Sequence, residues 1–357
     1  MSDDTIRRKD AHLDLCATEE VEPAGNETLF EDVSLVHEAL PELSVAEVDL
    51  STSFLGKRLR APVLITGMSG GTDRAGALNR DLARVADELG VAFGVGSQRA
   101  MDRNPAVADS FRVRDGAPRV ALLGNIGLWQ AHALGVDGVR RLVDAIAADG
   151  IAVHLNAGQE LIQPEGDRDF RQGFETVKAL AAAFGDRLVV KETGCGIGPS
   201  TARRLFDAGV NTVDVSGLGG TSWVRVEALR AQSQQAALGQ LYSGWGIPTA
   251  ACVATVAALA KGRGRVIASG GMRDGLMAAK ALSLGASMVG FALPVFRAWT
   301  AGGIDGARRA VEELVGGLSL AMVLTGSKTV GELQSRPRIV TGRLKDWIAG
   351  LSDGAVH

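Results

Sequence analysis

The chain has 357 residues, a formal net charge of −3, 46% hydrophobic residues, 46 glycines and 4% aromatics. This balance excludes a broad basic face for nucleic acid, and no apolar run reaches the roughly 18–20 residues of a membrane span, so neither is expected as a partner. Cys16, Cys195 and Cys252 are too few and too dispersed for a disulfide framework or a zinc site; with a polar N-terminus that lacks a hydrophobic signal region, they point to a reducing cytoplasm.

Residues 1–60 are polar and mixed. Arg7-Arg8-Lys9, with His12 close behind, reads either as a frayed, solvated terminus or as a segment that folds over a pocket and offers two cations to a phosphate. Thr28 to Val48 reads as an irregular lead-in with an apolar side, and Phe54 to Leu59 as a hairpin edge. From Pro62 strand and helix alternate. Strands are expected over 62–68, 91–96, 120–127, 151–157, 187–192 and 210–217, with helices near 75–89, 137–148, 171–184 and 200–208. A longer insertion covers 224–246. Ile247-Pro248-Thr249 opens a helix, because proline is tolerated at a helix start and AACVATVAALAK continues with good formers. Two more strands, Val266–Ala268 and Ser287–Phe291, flank a helix from Asp274 to Leu284 that Gly285 ends. The tail, 305–350, reads as two or three amphipathic helices.

Eight β/α units with near-continuous apolar strands predict an α/β protein: a (β/α)8 TIM barrel over 61–304, with an N-terminal extension over 1–60 and C-terminal helices over 305–357. A doubly wound open sheet is the alternative, and no Gly-x-Gly-x-x-Gly follows the first strand to support it. In such a barrel the chemistry lies at the C-terminal ends of the strands. Those ends carry Thr66, Gly67, Met68, Ser97, Gln98, Arg99, Asn125, His154, Asn156, Gln159, Glu160, Lys191, Ser216, Thr221, Trp223, Gly270, Gly271, Arg273, Ala292 and Leu293. Glycine in the Ser269-Gly270-Gly271 turn lets an anion reach backbone N–H groups. The following helix dipole adds only about 0.3–1 kcal/mol, so a tight phosphate grip also needs a cation, and Arg273 is in place. A turn that merely needs glycine is the bland alternative.

Lys191 ends an apolar strand and needs an electron-rich partner. That partner is either a carboxylate such as Glu192 or a flavin pyrimidine ring carrying negative charge in the reduced state. His154 and Asn156 are two apart and so share a strand face. The histidine alone reads as a satisfied core residue; beside Asn156, Gln159 and Glu160 it reads as part of a site. Glu160 is a hard oxygen ligand, suited to Mg²⁺ held by one carboxylate plus substrate phosphate. Cys195 would need a base nearby to act as a nucleophile.

Together RRKDAH (7–12), TGMSGG (66–71), GVGSQRAM (94–101), GNIG (124–127), HLNAGQE with QPEGDRDF (154–170), VKETGCGIG (191–198), DVSGLGGTSW (214–223) and ASGGMRDG (268–275) resemble the type 2, FMN-dependent isopentenyl-diphosphate isomerases, in that family's order over nearly the whole chain. One departure is Ala157-Gly158, where the family often carries bulkier residues. The resemblance implies a homo-oligomeric barrel, tetramer or octamer, that binds FMN, Mg²⁺ and NADPH, the last to keep the flavin reduced. It implies FMN contacts from Thr66, Gly67, Met68, Ser97, Asn125, Lys191, Ser216 and Thr221. The flavin phosphate would lie at Gly270, Gly271, Met272 and Arg273 and at Ala292-Leu293. A prenyl diphosphate would meet Arg8, Lys9, Ser97, Gln98, Arg99, Asn156 and Gln159, with Mg²⁺ on Glu160.

The implied reaction moves the double bond of isopentenyl diphosphate to give dimethylallyl diphosphate. An unactivated alkene is a poor base, so developing positive charge needs a dry, electrostatically prepared site. The flavin N5 is then the expected main acid/base, with Gln159, His154 and Trp223 orienting or relaying. Two alternatives are an FMN oxidase or dehydrogenase of small hydroxy acids and a non-catalytic flavin-binding barrel. Against the first, no histidine occurs between His154 and His357.

Overall fold

The computed structural model describes residues 3–23, 28–231 and 233–353. Eight parallel strands close into a barrel. In chain order they are β1 (Val63–Ile65), β2 (Ala92–Gly94), β3 (Ala121–Gly127), β4 (Gly150–His154), β5 (Leu188–Lys191), β6 (Thr212–Asp214), β7 (Arg265–Ala268) and β8 (Met288–Phe291). Closure is made by β8 against β1, with Val289, Gly290 and Phe291 opposite Val63, Leu64 and Ile65. The α/β barrel expected from the alternating pattern is therefore the fold. Strands are shorter than the apolar runs, because each run continues into the turn that carries the site.

Leu64, Ala92, Ala121, Leu123, Ala152, Val189, Ile267 and Met288 fill the barrel interior, and Phe54 and Leu59 close its lower end. The latter two come from the hairpin Thr52–Phe54/Lys57–Leu59. A second, larger core lies between strands and helices. The helix Asp73–Leu89 shows why: Leu78, Leu82 and Val85 recur on one face and are fully buried, each worth about 1.5–3 kcal/mol. Thr72 caps its start by accepting the Ala75 N–H, and left-handed Gly90 ends it.

Several elements differ from expectation. The helix expected near 137–148 starts at Leu128 and bends at Gly135, whose φ of +65° breaks the helical period there. Gln159 and Glu160 lie on a short helix, Ala157–Ile162, too brief for a periodic signal. The insertion forms two helices, Trp223–Arg230 and Ser233–Leu241. The helix Leu293–Leu324 runs past residue 304, with a kink at Gly302-Gly303. The tail is not purely helical: Arg338–Val340 pairs antiparallel with Val33–Leu35. Asp32 then accepts the Leu344 N–H, tying the two ends together. Asp3–Thr18 is a helix lying over the barrel mouth, not a frayed end. No helix among the described residues is long and apolar enough to cross a membrane.

Candidate active site

Two adjoining cavities occupy the mouth of the barrel at the C-terminal ends of the strands. Gly67, Met68, Ser69, Lys191, Thr193, His12 and Trp223 line both.

The first cavity is walled largely by backbone. Gly270 and Gly271 follow β7 with φ of +97° and +76°. A Cβ on Gly270 would sit 2.2 Å from the Gly217 carbonyl oxygen, one on Gly271 2.4 Å from that of Gly219, and one on Gly220 2.3 Å from the Gly271 nitrogen. Two loops thus meet main chain to main chain, leaving peptide groups as the surface. Thr66, Ser216, Thr221, Met272, Arg273, Ala292 and Leu293 complete this cavity. Ala292-Leu293 begins the helix Leu293–Leu324, whose first N–H groups and dipole favour an anion. Arg273 pairs with Glu22 and donates to the Gly219 carbonyl. Peptide-lined turns, an arginine, a helix start and an apolar side of Met68, Leu293 and Phe296 fit a flavin mononucleotide.

Lys191 reaches this cavity from the end of β5. Its Nζ donates to the carbonyl of Glu192 at 2.6 Å, but the Glu192 carboxylate is turned away. That carboxylate accepts the N–H groups of Thr193, Gly194, Cys195 and Gly196. The Lys191–Glu192 side-chain pair weighed from the sequence is therefore not formed; the acid instead shapes the turn. Burial pushes the Glu192 carboxyl up, against the pull of the N–H donors and of Lys191. Burial also pushes the Cys195 thiol up to about 12, so it is no activated nucleophile.

The second cavity is polar. Lys9, Ser97, Arg99, Asn125, His154, Asn156, Gln159, Glu160, Gln130 and Gln163 face it. The N-terminal helix places Lys9, 9% exposed, where its Nζ donates to the Ser97 carbonyl at 3.1 Å. Arg8 is on the same helix, but its side chain lies outside the described residues. Gln98 corrects the expectation of a substrate contact. It is fully buried in the wall, donating to Leu142 and accepting from the Asn125 N–H. It follows a strand end, where neighbouring side chains alternate between cavity and wall. Asn156 lies beyond the end of β4, so strand alternation does not explain its direction; yet it and His154 face the same cavity.

Glu160 is 3% exposed. Its carboxylate accepts from Asn156 Nδ2 and from the Asp167 N–H, each at 2.9 Å. The Asn156 Oδ1 is buried and without a hydrogen-bond partner. A buried carboxylate held by neutral donors beside an orphaned amide oxygen calls for a cation. Among the described residues no group of three His, Cys, Asp or Glu side chains converges. The oxygen set fits Mg²⁺, which keeps waters and substrate phosphates as its other ligands, and does not fit zinc.

His154 has a defined role. Asn125 Nδ2 donates to the Val95 carbonyl, so its Oδ1 is the acceptor facing His154 Nδ1 at 2.8 Å. The network therefore assigns the proton to Nδ1 and leaves Nε2 as an acceptor. Burial, with Lys191, Lys9 and Arg99 nearby, pushes its pKa down to about 3. Between pH 6.5 and about 3 the unfolded chain binds this proton and the folded one does not, so stability falls as pH drops through that window. Relative to His154→Gln, wild-type protein should lose up to about 1.4 kcal/mol more per pH unit there. Denaturant unfolding at pH 4–7 measures this, and parallel curves for the two proteins would refute it.

Glu227 was not foreseen. It lies in the insertion and is fully buried. Its carboxylate accepts from Gln159 Nε2 and meets His12 Nε2, each at 3.1 Å, and pairs with Arg230. Burial would raise this acid; His12, Arg230 and Gln159 outweigh that and hold it low. His12 in turn meets the Trp223 ring edge-on, with centroids 5.2 Å apart. No motif spacing announces a glutamate on an insertion; only the fold brings it to Gln159 and His12.

Comparison with known proteins shows the family and the fold. A profile of the FMN-dependent dehydrogenase family matches residues 5–110 and 154–340. Isopentenyl-diphosphate delta-isomerase of Methanothermobacter thermautotrophicus is 44% identical over 345 residues, covering 96% of this chain and 95% of that one. The enzyme of the same name from Pyrococcus horikoshii is 41% identical over 353 residues, covering 96% and 94%. Among solved structures, a mandelate oxidase variant with (S)-mandelic acid is 20% identical with a TM-score of 0.66, covering 95% of this chain and 98% of its own. A lactate oxidase of Pediococcus acidilactici is 18% identical with a TM-score of 0.65, covering 89% and 86%.

Proposed function

The chain belongs to the FMN-dependent dehydrogenase family and, within it, to the isopentenyl-diphosphate delta-isomerases, and on that premise we propose how its mouth performs the reaction. It converts isopentenyl diphosphate to dimethylallyl diphosphate with FMN. The observation that carries the reading is the shared wall: a peptide-lined flavin cavity opens directly onto a second cavity holding cations and an isolated buried carboxylate. A hydroxy-acid oxidase is not favoured, because the oxidases at 18–20% identity share the fold alone. A non-catalytic flavin barrel would leave the Glu160 site without a use.

In this reading Lys191, Thr66, Gly67, Met68, Asn125, Ser216 and Thr221 hold the flavin ring. Gly270, Gly271, Met272, Arg273, Ala292 and Leu293 hold its phosphate, and Ser97 lies between ring and substrate. A bound reduced flavin would supply an acid/base group and negative charge beside the alkene. Lys9 and Arg99, with Arg8 from the same helix, neutralise the diphosphate. Glu160 carries Mg²⁺, assisted by Asn156. Gripping the diphosphate supplies remote binding energy that positions a small, featureless alkene. Gln159 is oriented from both ends, its NH₂ donating to Glu227 and its amide oxygen accepting from Asn156 Nδ2 at 3.3 Å, and it faces the substrate cavity in that fixed pose. His154 accepts at Nε2 and, being neutral, adds no repulsion to a developing cation. Trp223 and the N-terminal helix exclude water, so the extension over 1–60 forms part of the substrate site.

NADPH as reductant, a cytoplasmic setting and a tetramer or octamer belong to the same proposal. Leu241, Tyr242 and Trp245 support assembly: they are 74%, 46% and 67% exposed on one short segment beside the mouth. The test is anaerobic. With FMN, Mg²⁺ and NADPH in D₂O, proton NMR should show deuterated dimethylallyl diphosphate appearing only when the flavin is reduced. Turnover with oxidised flavin, or none under any condition, would count against it.

A further inference from the structure

Lys191 has a second carboxylate beside it, to which no role has yet been given. Lys191 and Asp214 are in-register partners on β5 and β6, so their side chains leave the sheet on the same side. Both line a small space that shares Thr66, Gly67 and Lys191 with the flavin cavity, has Asn125 on its wall, and reaches Leu64, Leu123 and Ala152 of the barrel interior. Asp214 is 1% exposed. Its Oδ1 accepts from Ser269 Oγ at 2.6 Å and from the Ser216 N–H at 3.3 Å. Ser216 and Ser269 are themselves walls of the flavin cavity. This acid therefore touches two residues of that cavity and faces the charge of a third. Burial raises its carboxyl, and Lys191 and Ser269 pull against that rise. Of the other nearby acids, Glu192 is engaged by four backbone N–H groups, and Glu160 by Asn156 and Asp167. Asp214 is left as the carboxylate matched in register to the lysine.

We propose that Asp214 is a positioning residue that acts through Lys191, offsetting its ammonium charge and so setting how strongly the pocket prefers reduced over oxidised flavin. The inference rests on the flavin reading and extends it. A lone ammonium in the wall of this cavity would favour the anionic reduced form of a bound flavin without restraint. A buried counter-charge on the neighbouring strand moderates that preference by its field.

The experiment is a redox titration of FMN on the purified holoprotein. Asp214→Asn keeps an acceptor for Ser269 and Ser216 and removes the charge. It should increase the preference for reduced flavin about tenfold, an upward midpoint shift of about 30 mV for a two-electron couple. In a Lys191→Gln background the same change should produce no shift. A purely structural role would weaken both flavin states alike and leave the midpoint unmoved. Should the amide disturb packing, Asp214→Ser carries the same prediction with a smaller side chain. An unmoved or lowered midpoint, or an equal shift without Lys191, overturns the inference while flavin binding stands. A wild-type protein that takes up no FMN overturns both this inference and the reading beneath it.

Discussion

Glu160→Gln is expected to lower kcat/KM for isopentenyl diphosphate by about 10²–10³-fold, the usual loss for one essential charge-stabilising group, and to abolish its response to Mg²⁺. The loss has two sources. Among the described residues the carboxylate is the one acidic side chain lining the second cavity, so its charge anchors a divalent ion there. The amide also misfits the site. Glu160 accepts from both Asn156 Nδ2 and the Asp167 N–H, whereas glutamine offers one acceptor and would turn its NH₂ toward a donor. Arg168 donates to the Glu160 and Gln163 carbonyls, holding the loop after the short helix. A disturbance at residue 160 therefore spreads to Gln163 and Asp167. FMN affinity should be nearly unchanged, since Glu160 does not line the first cavity. Rates against Mg²⁺ concentration, with flavin binding measured in parallel, make the test. Wild-type rates with wild-type Mg²⁺ dependence would move the metal elsewhere.

The parts legible in the sequence share a cause. Strand ends and glycine turns are local: VVKE and ASGG each mark where an apolar run stops, and a barrel brings every such stop to one rim. Lys191, Gly271 and Glu160 can therefore be placed on that rim from the sequence alone. What local reading missed depends on distance in space. Gln98 sits beside Ser97 and Arg99 in one polar tripeptide, yet its side chain binds Leu142 and Asn125 in the wall. Glu227 lies on an insertion whose sequence carries no motif, and it becomes important only because His12 and Gln159 meet it. The N-terminal helix was ambiguous for a related reason. Its charges look solvated until Arg297 caps its C-terminal end through the Cys16 and Glu19 carbonyls and Arg74 pairs with Asp14. In the sequence Asp214 is only a strand residue, because its register with Lys191 exists only between two strands of the folded sheet.

Gly271→Ala is the substitution expected to remove flavin most completely. At φ +76° an L-residue is strained, and that conformation alone costs about 1–2 kcal/mol. The space is closed as well. The new Cβ would lie 2.4 Å from the Gly219 carbonyl oxygen and 2.5 Å from both the Gly219 carbonyl carbon and Thr28 Cγ2. The first two are main-chain atoms, so relief requires one loop to move off the other. Gly220 and Gly270 make the same kind of close approach, and so the two turns would part together and their peptide groups would no longer converge on one anion. Arg273 follows two residues later and would be carried with the turn, away from the Gly219 carbonyl it contacts. Losing several aligned N–H donors, each worth about 1.5–3 kcal/mol to a charged ligand, should weaken FMN binding at least about 100-fold. The barrel should still form, since its interior of Leu64, Leu123, Val189 and Ile267 is untouched. Flavin fluorescence titration against circular dichroism of the apoprotein separates the two effects. A Gly271→Ala protein that retains wild-type FMN affinity would show that the flavin phosphate is held elsewhere.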